Sequence, residues 1–471
     1  MSDYFLNFIQ HWGQIDSFFS AAALWIGLSV IGSFFLGQKK IFELAPFYGW
    51  AAVNFIYTIL GVFTQISFAV IAVSIGCVCI IALISMFKRK QQILPAGTLK
   101  LAILFLPLLV LVSAMSGSQW DEFSDWLISP RLLLETNSFP THTNAHRAGS
   151  LTAYPYGWHY ISYLASLLAG RFLENTGALI NIFMLMTFGL VTLRLIQTGF
   201  EDDQEISSPG WSLCAVAGLS TTLLNTTFAQ KVALTSYADI ATATITGLCT
   251  IVGWYMLGAL ADGKRKEAVH NAFQIGLLLM LLVNLKQSTV VMAVLVIGAF
   301  SLAALRDPKI SLRDFLSLVP LMVIPGIIIF GVWRYYVYNE LAAREMNMSE
   351  MANWHIEFIP QILQRMLLVL SKKGAYLLMF IVIIYFAIKA LIRYKTQFDR
   401  YAIIAGSLFL GHNLFLFFAY LSTFTQFDAL RAASYWRYNM QLGMVGVAFT
   451  IFGCAILWNK YIRNKAWTKQ I

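Results

Sequence analysis

The chain has 471 residues, 58% of them hydrophobic and only 12% charged, with a formal net charge of +10 at neutral pH. A soluble domain carries about 25% charged residues, so this composition excludes a water-solvated fold and makes lipid the solvent. The cations fall in short clusters between apolar runs, which speaks against a nucleic-acid surface and reads as membrane-edge anchoring. All five cysteines lie inside apolar runs with neither disulfide nor metal spacing. No cation precedes Lys39, so the first apolar run lacks the basic start of a cleavable signal and is expected to stay as a helix.

A span needs about 20 largely apolar residues. Candidates begin near Phe18, Phe47, Ser67, Leu99, Gly177, Trp211, Asp239, Asn271, Thr289, Asp314, Gly374, Tyr401 and Asn439. The sequence therefore predicts an all-α integral membrane protein of one domain with about 13 transmembrane helices. Lys39-Lys40, Lys88-Arg89-Lys90, Lys264-Arg265-Lys266 and the stretches 306–313, 393–400 and 460–469 mark the cytoplasmic side. Counting crossings forward from Lys88 and back from Lys264 leaves both flanks of 157–176 outside. The apolar part of that stretch, Trp158 to Leu168, is only roughly 11 residues long, which suits an interfacial or re-entrant helix. Three polar stretches, 116–176, 334–373 and 421–438, then share the outer face. No fixed-period repeat is visible.

The first of these stretches opens with Trp120-Asp121-Glu122-Phe123-Ser124-Asp125-Trp126. Carboxylates among aromatics at a membrane surface sit where the dielectric falls and a carboxylate pKa rises, an environment for a general base. An acidic loop start solvated by headgroup water accounts for the same residues. His142, His146 and Arg147 follow, and His159 begins the short helix; these rank as secondary candidates, as does Asp125. In Ser236-Tyr237-Ala238-Asp239-Ile240 the acid falls at the outer end of its span, where the helix dipole favours it. Asp121, Glu122 and Asp239 come from distant parts of the chain yet share one depth and one face. Lys286, at a turn between apolar runs, and Arg437, before the last helix, fall at the same depth. Each alone suits snorkelling to headgroups; together they suit a phosphate, since Arg offers a bidentate fork and Lys a point charge. His412-Asn413, inside an apolar run, reads as an interhelical contact. No Gly-rich phosphate loop is present.

An Asp-Glu pair after an exiting helix, followed by Ala153-Tyr154-Pro155-Tyr156-Gly157-Trp158 opening a short apolar helix, resembles the first outer loop of GT-C-type glycosyltransferases. These enzymes use polyprenyl-phosphate sugars, and the group includes the protein O-mannosyltransferases and the lipid A aminoarabinose transferase. Tyr237-Ala238-Asp239-Ile240 is similar to their acidic helix start, and Leu285-Lys286-Gln287 to their Lys-containing turn. The order and spacing fit across 99 to about 305; beyond that only Arg437-Tyr438 is similar to an Arg-Tyr before a late helix. One Pro rather than two follows Tyr154, and about three helices precede the Asp-Glu loop where many members have one.

The resemblance implies a GT-C-like bundle with short interfacial helices in the first outer loop. It divides the chain into an N-terminal three-helix unit (1–92), a catalytic module (93–310) and C-terminal helices (311–471). The donor would be a sugar on a polyprenyl phosphate, and the acceptor a hydroxyl of a glycan, glycolipid or protein. Transfer would proceed by in-line attack with inversion. Asp121 would be the base, Glu122 would orient it or the acceptor, and Asp239 would be a second carboxylate. Lys286 and Arg437 would neutralise the leaving phosphate. Carboxylates of this kind also suit Mg²⁺ or Mn²⁺, and members differ in metal need. The expected location is a bacterial inner membrane with the site facing the periplasm or exterior. A transporter or lipid-linked glycan flippase is the main rival, although such proteins tend to place ionisable groups near mid-membrane on broken helices. A membrane polymerase or ligase of lipid-linked glycans would share the outer site.

Overall fold

A computed structural model describes residues 15–36, 41–147, 149–200, 209–341 and 347–463. Among these residues the chain is helical with no strand. Lys39, Lys40 and the basic residues after Arg463 lie outside the described residues, as does the side chain of His146. Each of the thirteen apolar runs contributes a helix. They are α1 (Ile15–Leu36), α2 (Ala45–Phe63), α3 (Phe68–Lys88), α4 (Thr98–Ser113), α5 (Thr176–Gly199), α6 (Trp211–Thr221), α7 (Asp239–Ala261), α8 (Arg265–Val283), α9 (Thr289–Arg306), α10 (Val319–Glu340), α11 (Gly374–Ile392), α12 (Gln397–Ser422) and α13 (Gly443–Trp458).

Eleven of them, all but α4 and α6, are long and apolar enough to cross a membrane. The exceptions have local causes. Helix α4 starts only after Pro95 and Gly97, the latter at φ +86°, and carries Pro107 inside. The 11 residues of α6 rise about 16 Å, roughly half of a 30 Å hydrocarbon core. The chain then continues to Asp239 in irregular form but for one helical turn, Gln230–Ala233. That backbone is bonded by side chains: Asn225 Oδ1 accepts from Thr227 N, and Asn181 Nδ2 donates to the carbonyls of Thr235 and Tyr237. Non-helical chain is tolerated at such depth where protein surrounds it.

Helices α5 and α7 form the centre and are almost wholly buried, whereas α3, α10 and α11 leave most of their apolar side chains at the surface. Such a surface suits lipid and not water. Helix α13 packs against α5 and α7, α8 against α7 and α10, and α9 and α11 against α12. Helices α1 and α2 pair closely, because a Cβ on Gly32 or Gly49 would lie 1.9 Å from a backbone oxygen of the other helix. In turn α2 packs on α8 and α10.

The loop 114–175 holds the short helices Ile128–Thr136 and His159–Ala169. Of the interfacial and re-entrant readings of the second, burial in protein favours the re-entrant one: His159 to Ser166 are all buried, packed against α1, α5 and Ile128–Thr136. By contrast, Ile359–Ser371 is strongly amphipathic. It turns Ile362, Met366 and Leu370 inward and leaves Leu363 and Leu367 exposed, as an interfacial helix does. The basic clusters at Lys88, 264–266, 306–313 and 393–400 all fall at one end of the bundle, opposite the starts of α7, α9 and α13.

Candidate active site

Four chain segments converge at that second end. Asp121 stands at the start of a π-helical turn, Glu122–Trp126, a geometry common at functional sites. Asp239 is the first residue of α7, Lys286 lies in the turn between α8 and α9, and Arg437 sits on the short helix Tyr435–Met440 before α13. The approach to that helix passes through Ala432 at φ +47° and Ser434 at φ +57°, left-handed positions unusual for residues with a side chain.

Asp239 is the hub. Its Oδ1 accepts from Lys286 Nζ at 2.8 Å and from Gln441 Nε2 at 2.7 Å, and its Oδ2 accepts from Arg437 Nε at 2.8 Å. The Arg437 guanidinium reaches on to donate to Asp121 Oδ2 and lies 4.0 Å over the Tyr237 ring. Two carboxylates and two cations thus balance. The Asp239 side chain is fully buried, while Asp121 is 38% exposed. Burial pushes the Lys286 ammonium below its ordinary pKa against the pull of Asp239. For Arg437 burial acts the same way, but Asp239 and Asp121 outweigh it and raise the pKa.

Asp121, Lys286, Arg437 and Gln441 open onto a cavity of about 710 Å³, with Asp239 behind them and outside its lining. Its polar wall carries Asp121, Ser124, Asp125, Tyr154, Lys286, Arg437, Tyr438 and Gln441; its apolar wall carries Val291 and Met292 of α9 with Phe415, Phe418 and Ala419 of α12. Burial pushes the Tyr438 hydroxyl up to about 12 and raises that of Tyr154, so both remain protonated donors. Comparisons of the chain with family models, with curated proteins and with solved structures give no match.

The remaining predicted residues divide. Glu122 is buried and outside the cavity lining. Its Oε2 accepts from Ser118 N and Gln119 N, and its Oε1 from Ser236 N at 2.7 Å. It therefore fastens the first loop to the approach of α7, away from the cavity wall. Asp125 accepts from Ser150 N, Ser150 Oγ and Leu151 N, tying down a second part of the loop. Arg147 is exposed and paired with Glu135, apart from the cavity lining. His142 is exposed as well. His412, read from sequence as an interhelical contact, makes one to the Tyr438 carbonyl at 3.0 Å and also lines the cavity. Gln441 and Trp120 were missed. The signal for Gln441 was its spacing of four from Arg437, one helical turn.

His159 is buried beside Trp126 and Tyr156, outside the cavity lining, and its Nδ1 has no protein partner among the described residues. Burial pushes its pKa from 6.5 down to about 4. A histidine kept neutral when folded takes up a proton more readily when unfolded. Stability is therefore complete above about pH 6.5 and is expected to fall as the pH drops towards 4, by on the order of 3 kcal/mol in all. Thermal melts of wild type and His159→Phe between pH 7.5 and 4.5 should show a shallower acid loss in the variant. Identical slopes would remove His159 as the cause.

No group of three or more His, Cys, Asp or Glu able to hold a metal ion occurs among the described residues. The space between Asp121 and Asp239 is bridged by the Arg437 guanidinium, and both Asp239 oxygens are engaged by protein donors. This donor set does not fit Mg²⁺ or Mn²⁺, and no step below is drawn through a metal.

Proposed function

We propose that this chain is a membrane glycosyltransferase that moves a sugar from a polyprenyl-phosphate donor to a hydroxyl of an extracytoplasmic glycan, glycolipid or protein. The observation that carries this reading is one cavity joining a carboxylate, two cations and an apolar wall between α9 and α12. A lipid phosphate with a long isoprenoid tail needs those features together, and a soluble nucleotide donor would not need the apolar wall. The reactive groups stand at helix ends and not mid-span, which favours transfer over transport. The sequence resemblance to GT-C-type enzymes points the same way.

Charge balance orders the steps. Asp121 and Asp239 neutralise Lys286 and Arg437 before any donor binds, so an incoming phosphodiester brings one uncompensated negative charge. Asp121 is the partly exposed member, and the phosphate displaces it from Arg437. The freed carboxylate stands beside the sugar. It then removes the acceptor proton as the acceptor oxygen attacks the anomeric carbon, and the C–O bond to phosphate breaks. Lys286 and Arg437 hold the departing lipid phosphate. Asp239 stays out of the proton transfer and keeps both cations aimed.

Arg437→Ala and Lys286→Ala are therefore expected to weaken binding of decaprenyl phosphate to the purified protein by at least tenfold, since each removes a charge-assisted contact. Arg437→Lys should recover only part, because Lys lacks the planar fork that reaches both carboxylates. Affinity unchanged in both alanine variants would take these residues out of the site.

For orientation, basic clusters favour the cytoplasm, which supports a site on the extracytoplasmic face, and the proposed membrane is a bacterial inner membrane. Asn175 is buried, donating to Ser17 and to the Ser113 carbonyl, and is a poor labelling position. Ser138 and Lys266 are exposed. Ser138→Cys should react with an impermeant thiol reagent in intact cells, and Lys266→Cys only after lysis. The reverse pattern would invert the topology.

A further inference from the structure

The three N-terminal helices are the part of the chain that the sequence resemblance leaves without a role. Helix α2 nevertheless carries, midway along its length, a polar cluster buried deep in protein. Asn284 Nδ2 donates to Asn54 Oδ1 at 2.6 Å and to Thr58 Oγ1 at 3.1 Å, and Thr58 bonds in turn to the Tyr160 hydroxyl at 3.3 Å. The Asn284 carbonyl accepts from Gly157 N at 2.9 Å, and the Gly157 carbonyl accepts from Trp50 Nε1 at 3.0 Å. The approach is so close that a Cβ on Gly157 would stand 2.3 Å from the Asn284 oxygen. Asn54, Thr58 and Asn284 are each at most 1% exposed. Buried amides in a lipid-solvated protein are expensive unless they are satisfied or do a job.

What this cluster grips gives that job. Asn284 is two residues before Lys286, and Gly157 is three residues after Tyr154, and both Lys286 and Tyr154 line the cavity. Through Asn54 on the Asn284 side chain and Trp50 on the Gly157 carbonyl, α2 thereby fixes two walls that arrive from separate parts of the chain. The next residue, Trp158, extends the linkage through Nε1 to the Ser236 carbonyl, and Ser236 N donates to Glu122.

We infer that Asn54 is a positioning residue: through Asn284 and Gly157 it sets the Lys286 turn against the Tyr154 wall, which makes α2 part of the active-site scaffold. The consequence for transfer rests on the role proposed for Lys286. A misplacement of about 1 Å at a reacting centre lowers rates on the order of 100-fold, so a small shift of this turn is enough.

The test pairs hydrogen exchange with transfer from undecaprenyl-phosphate sugars. Asn54→Leu fills similar space and removes the shorter of the Asn284 amide's two bonds, leaving it Thr58 Oγ1 alone. Amide exchange at Gly157 and across 284–289 should quicken about tenfold or more, and kcat should fall about 10- to 100-fold with little change in acceptor KM. The double variant Asn54→Leu with Asn284→Leu should be no worse than Asn284→Leu alone, since both break one linkage. Ile31→Ala, a buried change elsewhere on the N-terminal helices, serves as the stability control: it should lower Tm without altering exchange at 284–289 or kcat. If Asn54→Leu behaves like Ile31→Ala, with wild-type exchange at both segments, the positioning role is overturned. If exchange quickens but the wild type transfers no polyprenyl-phosphate sugar, the glycosyl reading fails and the structural role of Asn54 stands.

Discussion

Asp239→Ala is expected to be the most disruptive single change in the site, destabilising the protein by roughly 3–5 kcal/mol, because it strands buried cations. Lys286 is 5% exposed at its side chain and pairs with Asp239 at 2.8 Å, and Arg437 Nε also loses its acceptor. The check is the Tm and monodispersity of purified protein. A second variant separates folding from chemistry. Replacing a buried ion pair with apolar groups of similar volume is often neutral or stabilising, so Asp239→Leu with Lys286→Met should regain much of the lost stability. It should not regain transfer, because the phosphate has lost Lys286 and the guanidinium its aim. A stable Asp239→Ala protein would mean that Asp239 is not the hub described here, and activity in the double variant would mean that the hub has no catalytic bearing.

How much of this was visible beforehand follows from the kind of signal each feature leaves. The thirteen apolar runs are long-range composition signals, and each became a helix. The length of α6 was not visible, because its end is set by Asn225 and Asn181 bonding an irregular segment, which apolar character alone does not reveal. Whether His159–Ala169 is interfacial or re-entrant stayed open for a related reason: an 11-residue apolar helix reads the same whether lipid or protein covers it. At the site, Asp121, Asp239, Lys286 and Arg437 were found by depth, since a count of crossings puts them on one face. The division of labour among the acids was not. Asp121, Glu122 and Asp125 look alike in sequence, yet the first meets a cation at the cavity, the second holds three backbone amides away from it, and the third lines the cavity while holding a loop. Sequence proximity cannot resolve such roles, because they are set by what each side chain meets across the fold. Asn54 left even less trace, being a single amide in otherwise apolar and aromatic surroundings, and Gln441 showed only through its spacing of four from Arg437.

The claim at the centre of the account is that Asp121 is a base held by Arg437 until a donor phosphate takes its place. Asp121→Asn preserves size and one acceptor oxygen but cannot take up the acceptor proton, so transfer is expected to fall by about 10²-fold or more. Stability should change by less than about 1 kcal/mol, as for other partly exposed ion pairs. Donor binding provides the distinguishing sign. The substitution removes the group that competes with phosphate for Arg437, so affinity for decaprenyl phosphate should hold or tighten. Asp125→Asn is a poor inert comparison, since Asp125 lines the same cavity and secures Ser150 and Leu151; Asp262, exposed at the opposite end of α7, serves better. The most direct measurement is single-turnover transfer from a radiolabelled undecaprenyl-phosphate sugar by purified Asp121→Asn, with decaprenyl phosphate affinity measured on the same preparation. The account predicts a rate lowered at least about 100-fold with affinity equal to or above wild type; a near-wild-type rate, or weakened lipid-phosphate binding, would contradict it.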